Sequence, residues 1–378
     1  MHTQPAQAWS FHNPVEIHFG PGCRKTLAEK LAGQRLLVVT TARGRAQFRA
    51  DPLLGALPAQ LAWVDSIRPN PGLRDVQAEI DRLAGESFDA VLAFGGGSAM
   101  DAAKALAAAL TPNLASRDLA ALIAQPGLYL DRPLLPIHAV TTTSGTGAEV
   151  TPFATIWDHE NRKKLSLASA LLFPVTAIVD PELTYGLPRA ATLSTSLDAM
   201  NQAFESVWNR NRTPITTLMA ARAIGLAFDA IPRLAADLDD HAARALIAEA
   251  SLLAGLCISQ TRTAICHSIS YPLTAHFGIP HGFACAASMS AVAHHVLAEA
   301  PEGLEAVVSH MRFGDASTLV AQLDAVLASA GLADALAPLM PEHRAILALQ
   351  DQMYTPGRSD NFILPFDATL LANILERL

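Results

Sequence analysis

Apolar runs bounded by glycine, proline and hydroxyl residues alternate with amphipathic stretches through the first half of the chain. PVEIHFG (14–20), RLLVVTT (35–41), QLAWVDSI (60–67), DAVLAFGGGS (89–98), PLLPIHAVTTTSGTG (133–147) and KLSLASALLFPVTAIVD (164–180) read as strands. Between them, CRKTLAEKLAG and VQAEIDRLAGES repeat apolar residues at helical spacing. Such alternation predicts a parallel sheet with helices on both faces. Near Pro181–Pro188 the pattern changes, and STSLDAMNQAFESVWN, TTLMAARAIGLAFDAIPRLAADL, HAARALIAEASLLAGLCISQ and GFACAASMSAVAHHVLAEA all read as helices. The predicted fold is therefore an α/β domain over residues 1–182 followed by an all-helical domain over 183–378. Open parallel sheets bind ligands at the carboxyl ends of their strands, which places the expected site in the cleft between the two.

Composition narrows the function. Of 378 residues, 51% are hydrophobic and 16% charged, enough for two substantial cores. The net charge of −8 argues against nucleic acid as the main partner. No apolar stretch reaches membrane-spanning length without interruption, and MHTQPAQAWSFHNP lacks a signal-peptide pattern. The four cysteines (Cys23, Cys257, Cys266, Cys285) show no CxxC spacing, so the expectation is a cytoplasmic protein with reduced thiols. Cys266 adjoins His267, but helix neighbours point apart, which disfavours it as a metal ligand.

Three segments carry chemistry. GGGSAMDAAK (95–104) follows a strand and opens a helix, a turn whose amides and helix dipole suit a pyrophosphate. It is neither GxGxxG nor a P-loop. TTTSGTGAEVTPFAT (141–155) is a second hydroxyl-rich turn after a strand, and two such turns together point to a dinucleotide. The third is split. Asp198 and Gln202 share a helix face, and His267 and His281 lie fourteen residues apart in CHSISYPLTAHFGIPHG. One carboxylate and two imidazoles can hold a divalent ion with an open position, with Gln202 where a fourth ligand belongs.

Together with RPNPG (68–72), these segments make the chain resemble the iron-containing, group III, metal-dependent alcohol dehydrogenases. WSFHNPVEIHFGPG, ESVWNRNRTP and HSISYPLTAHFGIPHG resemble the phosphonoacetaldehyde-reducing branch of that family. The resemblance implies an N-terminal dinucleotide-binding domain, a C-terminal metal and substrate domain, and reduction of a small aldehyde by NAD(P)H. It implies that Gly96, Gly97, Ser98 and Asp101 hold the pyrophosphate side, and that Asn70, Pro71, Thr141, Thr142, Thr146 and Lys164 line the rest of the cofactor site. Asp198, His267 and His281 match three of four metal ligands for Fe(II) or Zn(II), and Gln202 replaces the usual histidine.

Tyr271 stands where relatives often carry another histidine, which makes it a candidate general acid beside His267 and Lys164, unless it is simply a packed aromatic. Thr41, with Arg43 and Arg45 close by, offers no acidic partner for ribose hydroxyls, which favours NADP(H) over NAD(H). An anionic aldehyde or alcohol needs cations, for which Arg358, Arg262 and His276 are the candidates, with Arg210 and Arg212 as further ones. The remaining alternatives are another family member acting on uncharged alcohols, a maleylacetate reductase, and a nucleotide-binding protein that has lost its chemistry. A homodimer is expected, with the N-terminal strand pairing across a two-fold axis.

Overall fold

The computed structural model describes residues 8–312 and 314–378. Its strands, in chain order, are β1 (Glu16–Phe19), β2 (Arg35–Val39), β3 (Gln60–Val64), β4 (Ala90–Gly95), β5 (Ile137–Thr141), β6 (Phe153–Asp158), β7 (Lys163–Ala168) and β8 (Thr176–Val179). Six of them form one sheet in the order β1-β8-β5-β4-β2-β3, with every neighbouring pair parallel. β4 and β5 are buried along their whole length, as unbroken apolar runs covered on both faces should be. β1 and β3 are more exposed, as suits edges.

The helices α1 (Leu27–Lys30) and α2 (Ala42–Ala50) lie on one face, with Leu27, Leu31 and Phe48 packed on Leu36, Val38, Leu92 and Phe94. The helices α3 (Leu73–Leu83), α4 (Gly97–Ala109) and α5 (Leu119–Ala124) cover the other, where Val76, Ile80 and Leu106 meet Leu37, Val39 and Val91. The chain therefore leaves β2 and β4, which are neighbours, toward opposite faces. That divergence opens a crevice at their carboxyl ends.

The N-terminal strand is part of the sheet: β1 pairs with β8 of its own chain, Glu16 opposite Thr176 through Phe19 opposite Val179, and as the edge strand it keeps its other edge open. One expectation needs correction. The run 164–180 is not one strand. Its half-exposed alternating part is β7, which pairs antiparallel with β6 as a hairpin outside the sheet, and only its fully buried TAIV segment joins the sheet as β8.

From Arg189 onward the regular elements are helical, beginning with α6 (Arg189–Val207), α7 (Pro214–Ala236), α8 (His241–Thr261), α9 (Ile265–Phe277) and α10 (His281–Ala287). α7 and α8 are long and apolar enough to cross a membrane, but they are mostly buried in this helical core. The two halves meet closely. The turn after β5 lies on α8 with glycine against glycine: a Cβ on Gly147 would stand 2.3 Å from Gly255 Cα, and one on Gly255 2.6 Å from Gly147 Cα.

Candidate active site

The crevice continues into a cavity of about 430 Å³ between the sheet's carboxyl edge and α6, α9 and α10. On the sheet side it is walled by Thr41, Asn70, Pro71, Gly96, Gly97, Ser98 and Asp101, with Thr143 and Thr146 opposite. Gly96 and Gly97 are needed there because the two turns touch. A Cβ on Gly96 would lie 2.8 Å from Thr143 Oγ1, and one on Gly97 2.6 Å from Thr146 Cγ2. Asn70 takes a left-handed backbone (φ 58°) and its N–H donates to Ser98 Oγ at 3.2 Å, tying the PNP turn to the start of α4. Lys104, fully buried on α4, donates to the carbonyls of Ala148, Thr151 and Phe153 at 2.7–2.9 Å. It fixes the second turn against the first. Burial pushes the Asp101 carboxyl up to about 6, partly offset by Lys104, Lys164 and His281.

On the helical side the donor atoms of Asp198, His267, His281 and Cys285 all lie within 4.8 Å of one another. Asp198 and Gln202 share a face of α6, His267 comes from the first turn of α9, and Pro280 caps α10 so that His281 opens it. Asp198 Oδ1 and His267 Nε2 stand 3.4 Å apart, yet Asp198 Oδ1 has no hydrogen-bond partner, and neither does Gln202 Oε1. Both residues are only 3% exposed. Buried acceptors without partners, grouped around one point, suit a divalent cation.

His267 Nδ1 is held by Glu205 Oε2 at 2.7 Å, which leaves Nε2 to face the cluster. Glu205 is itself fully buried, and its carboxylate also accepts from the N–H groups of Ala264, Cys266 and His267 at 2.6–3.2 Å. It thereby sets the start of α9. Burial would raise the Asp198 carboxyl, but the His267, His281 and Gln202 side chains hold it below its ordinary value. The Cys285 thiol, despite burial, is brought down to about 7 by the two histidines, whereas burial pushes Cys266 and Cys257 up. The residues present thus fit a divalent cation.

Between the cluster and the outer mouth sits Tyr271, buried, with its hydroxyl unpartnered. Lys164 Nζ lies 3.6 Å from its ring centre. Burial opposes ionisation, but Lys164, Arg358 and His267 bring the phenol down to about 7. Beyond it, the Arg262 and Arg358 guanidinium groups lie 4.4 and 5.9 Å from the Phe153 ring centre. Burial, then the charge of Arg358, lowers Arg262 to about 10. Among the described residues neither arginine pairs with a carboxylate. Arg262 also holds a strained backbone (φ 62°, ψ 179°) at the end of α8. Asn361 Nδ2 donates to Thr263 O at 2.9 Å and to Gly357 O at 2.9 Å, pinning the two arginine-bearing loops together.

Two family models span the chain: iron-containing alcohol dehydrogenase over residues 14–181, and its C-terminal counterpart over 192–351. The chain belongs to the iron-containing alcohol dehydrogenase family. A phosphonoacetaldehyde reductase from Streptomyces viridochromogenes is 41% identical over 203 residues, 53% of this chain and 51% of that protein. A choline dehydrogenase from Bacillus subtilis is 32% identical, over 75% of this chain and 71% of its own. Among solved structures, sulfoacetaldehyde reductase from Bifidobacterium kashiwanohense in complex with NAD+ superposes with a TM-score of 0.86 at 29% identity, covering 98% of both chains. The matches to the first curated relatives span only about half to two thirds of those relatives' length.

In this member of the iron-containing alcohol dehydrogenase family the structure brings most of the expected site residues to one cavity and leaves some aside. Thr41, Asn70, Pro71, Gly96, Gly97, Ser98, Asp101, Thr146, Lys164, Asp198, Gln202, His267, Tyr271, His281 and Arg358 line it. Arg262 and His276 line an adjoining outer pocket, which shares Lys164, Tyr271 and Arg358 with it. Thr141 and Thr142 do not line the cavity: Thr141 Oγ1 turns back to Thr143 O at 2.7 Å, and Thr143 takes the cavity position instead. Arg45 pairs with Asp65 at 2.7 Å and Arg43 donates to Gly186 O, and neither lines the cavity. Arg210 and Arg212 serve the carbonyls of Phe362 and Val207 and stay outside the cavity. Sequence reasoning missed Glu205, Lys104, Thr143 and Cys285. The spacing His281-x-x-x-Cys285 carried the last of these, since it puts both side chains on one helix face.

Proposed function

We propose that this protein transfers a hydride reversibly between a nicotinamide cofactor and a small anionic aldehyde, reducing phosphonoacetaldehyde to 2-hydroxyethylphosphonate. The observation that carries the reading is the pair Arg262 and Arg358, two guanidiniums without a carboxylate, beside Tyr271 and Lys164 and next to the Asp198 cluster. Unpaired, partly buried guanidiniums suit the oxygens of a phosphonate. The likeness to reductases of phosphonoacetaldehyde and sulfoacetaldehyde supports an anionic two-carbon substrate.

The balance is aldehyde, NAD(P)H and a proton giving alcohol and NAD(P)+. A divalent cation, Fe(II) or Zn(II), held by Asp198, His267 and His281 supplies Lewis-acid polarisation of the carbonyl when bound. Gly96, Gly97 and Ser98 hold the cofactor's phosphates against the start of α4. Arg262 and Arg358 orient the anionic end, and Tyr271 holds the proton for the product oxygen. NADP(H) is favoured over NAD(H) because uncharged Thr41 stands where an acidic residue would select ribose hydroxyls. That reading rests on Thr41 alone, since Arg43 and Arg45 are engaged elsewhere. We read the protein as a cytoplasmic homodimer, with the free cysteines and the open edge of β1 in support.

The test is NADPH and NADH oxidation with phosphonoacetaldehyde, sulfoacetaldehyde and propanal, on chelated and on metal-reconstituted protein. Metal-dependent turnover that prefers the anionic aldehydes supports the reading, and equal turnover of propanal moves the protein to general alcohol oxidation. Arg358→Ala is expected to raise KM for the phosphonate about 10–100-fold while leaving propanal nearly unchanged, since hydrogen bonds to charged groups contribute about 1.5–3 kcal/mol. Equal losses on both substrates would remove Arg358 from substrate recognition. Tyr271→Phe is expected to lower kcat for reduction about 100-fold. Because the phenol donates only below its pKa of about 7, wild-type reduction should fall as pH rises through that value. A Phe variant that keeps the same alkaline limb would assign the titration to another group.

A further inference from the structure

Gln202 supplies only a neutral amide oxygen at the place where the family resemblance expects an imidazole. We propose that the Cys285 thiolate takes over as the fourth donor, giving an Asp198–His267–His281–Cys285 site built for Zn(II) rather than Fe(II). The inference rests on the reading that this cluster holds a divalent cation, and adds which atoms hold it.

Four donors arranged tetrahedrally about 2.0–2.3 Å from one ion stand about 3.3–3.6 Å from each other. Asp198 Oδ1 lies 3.4 Å from His267 Nε2, and all four donors lie within 4.8 Å of one another. Cys285 Sγ stands 3.7 and 3.8 Å from the two ring nitrogens of His281, so taking up one ion closes the cluster by turning that ring. One helical turn separates His281 from Cys285 on α10, so the thiol projects beside the imidazole.

The surroundings agree. Cys285 is fully buried, and its sulfur bonds to no backbone carbonyl among the described residues, unlike Cys257, whose sulfur donates to Thr216 O at 3.3 Å. Gln202 Oε1 is unpartnered as well, but an amide oxygen is a neutral and weaker donor to zinc than a thiolate. A soft sulfur donor selects zinc over iron(II), and a four-donor zinc site can still expand to five on substrate binding.

The experiment uses the full-length protein stripped of metal and given one equivalent of Co(II) or Zn(II). With cobalt, a near-ultraviolet thiolate-to-metal band is expected in the wild type and in Gln202→Ala, and its loss in Cys285→Ser with cobalt still bound. Competition with a chelator should show Zn(II) affinity falling at least about 100-fold in Cys285→Ser, as much as or more than removing an outer-shell partner costs, and far less in Gln202→Ala. X-ray absorption of the wild-type zinc form needs no variant: a sulfur neighbour at about 2.3 Å is expected. A shell of nitrogen and oxygen only, cobalt bound without the band, no metal bound, or a band that survives in Cys285→Ser overturns the proposal. None of these readouts involves an aldehyde. Phosphonoacetaldehyde turnover with a sulfur-free shell would sink this proposal and spare the substrate reading, and sulfur ligation without turnover would do the reverse.

Discussion

Asp198→Asn is expected to lower kcat/KM for aldehyde reduction about 10³–10⁴-fold while leaving cofactor affinity within a few-fold of wild type. The substitution keeps the side chain's size and removes its charge. Asp198 is 3% exposed and carries an orphaned oxygen 3.4 Å from His267 Nε2. With an amide in its place, one anionic donor to the ion is gone. The Lewis acid's share of such a reaction is several kcal/mol, and each 1.36 kcal/mol is tenfold in rate, which sets the size of the loss. The proposed cofactor cradle lies on the turns after β4 and β5, on other elements, so it should survive. Steady-state kinetics, metal content and a fluorescence titration with NADPH measure the three quantities. A variant that retains stoichiometric metal and activity within tenfold would exclude the carboxylate as a ligand.

Glu205→Ala is expected to cost about 3–5 kcal/mol of stability, the range for removing one partner from a buried charged pair. Its carboxylate gathers three backbone N–H groups of the 264–267 turn and the His267 ring. Removing it leaves those donors buried without an acceptor and frees the imidazole to rotate. Denaturant unfolding of the metal-free protein isolates the structural part of the loss. Metal affinity measured below the unfolding transition reports the orientation of His267, where outer-shell substitutions cost about 10–100-fold. A stability change under about 1 kcal/mol would mean that the turn finds other acceptors.

The sheet was legible because its strands are unbroken apolar runs, such as AVLAFG and IHAVT, each closed by a glycine- or threonine-rich turn. The hairpin was not. Its strands lie in FATIWD, where the turn was expected to continue, and KKLSLA, whose apolar residues merge on paper with those of β8. Only the half-exposed burial of β7 separates them. At the site, Asp198, His267 and His281 could be read from spacing together with family resemblance. Thr141 and Thr143 could not be told apart, because which hydroxyl faces the cavity depends on a backbone turn that residue type does not encode. Glu205 looked like one more residue of α6, and its role appears only where α8 ends and α9 begins. The contacts of Arg43 and Arg45 were not legible for a similar reason: Asp65 and Gly186 are distant in sequence and adjacent in space. Arg262 and Arg358 were candidates among several arginines, and what sets them apart is that among the described residues neither pairs with a carboxylate.

The glycine pair at 147 and 255 makes the protein a caliper. The cofactor turn and the helix that ends in Arg262 are separated by two backbones in contact, with no side chain between them to compress or swing away. The jaw set by Arg262 is therefore held against that turn, and the Arg358 jaw is tied to it through Asn361, which bonds Thr263 O and Gly357 O. Chain length is gauged against a hard stop. On the proposed reading, a homologue one methylene longer can push Arg262 back only against the two backbones, and Arg358 only by breaking the Asn361 tie.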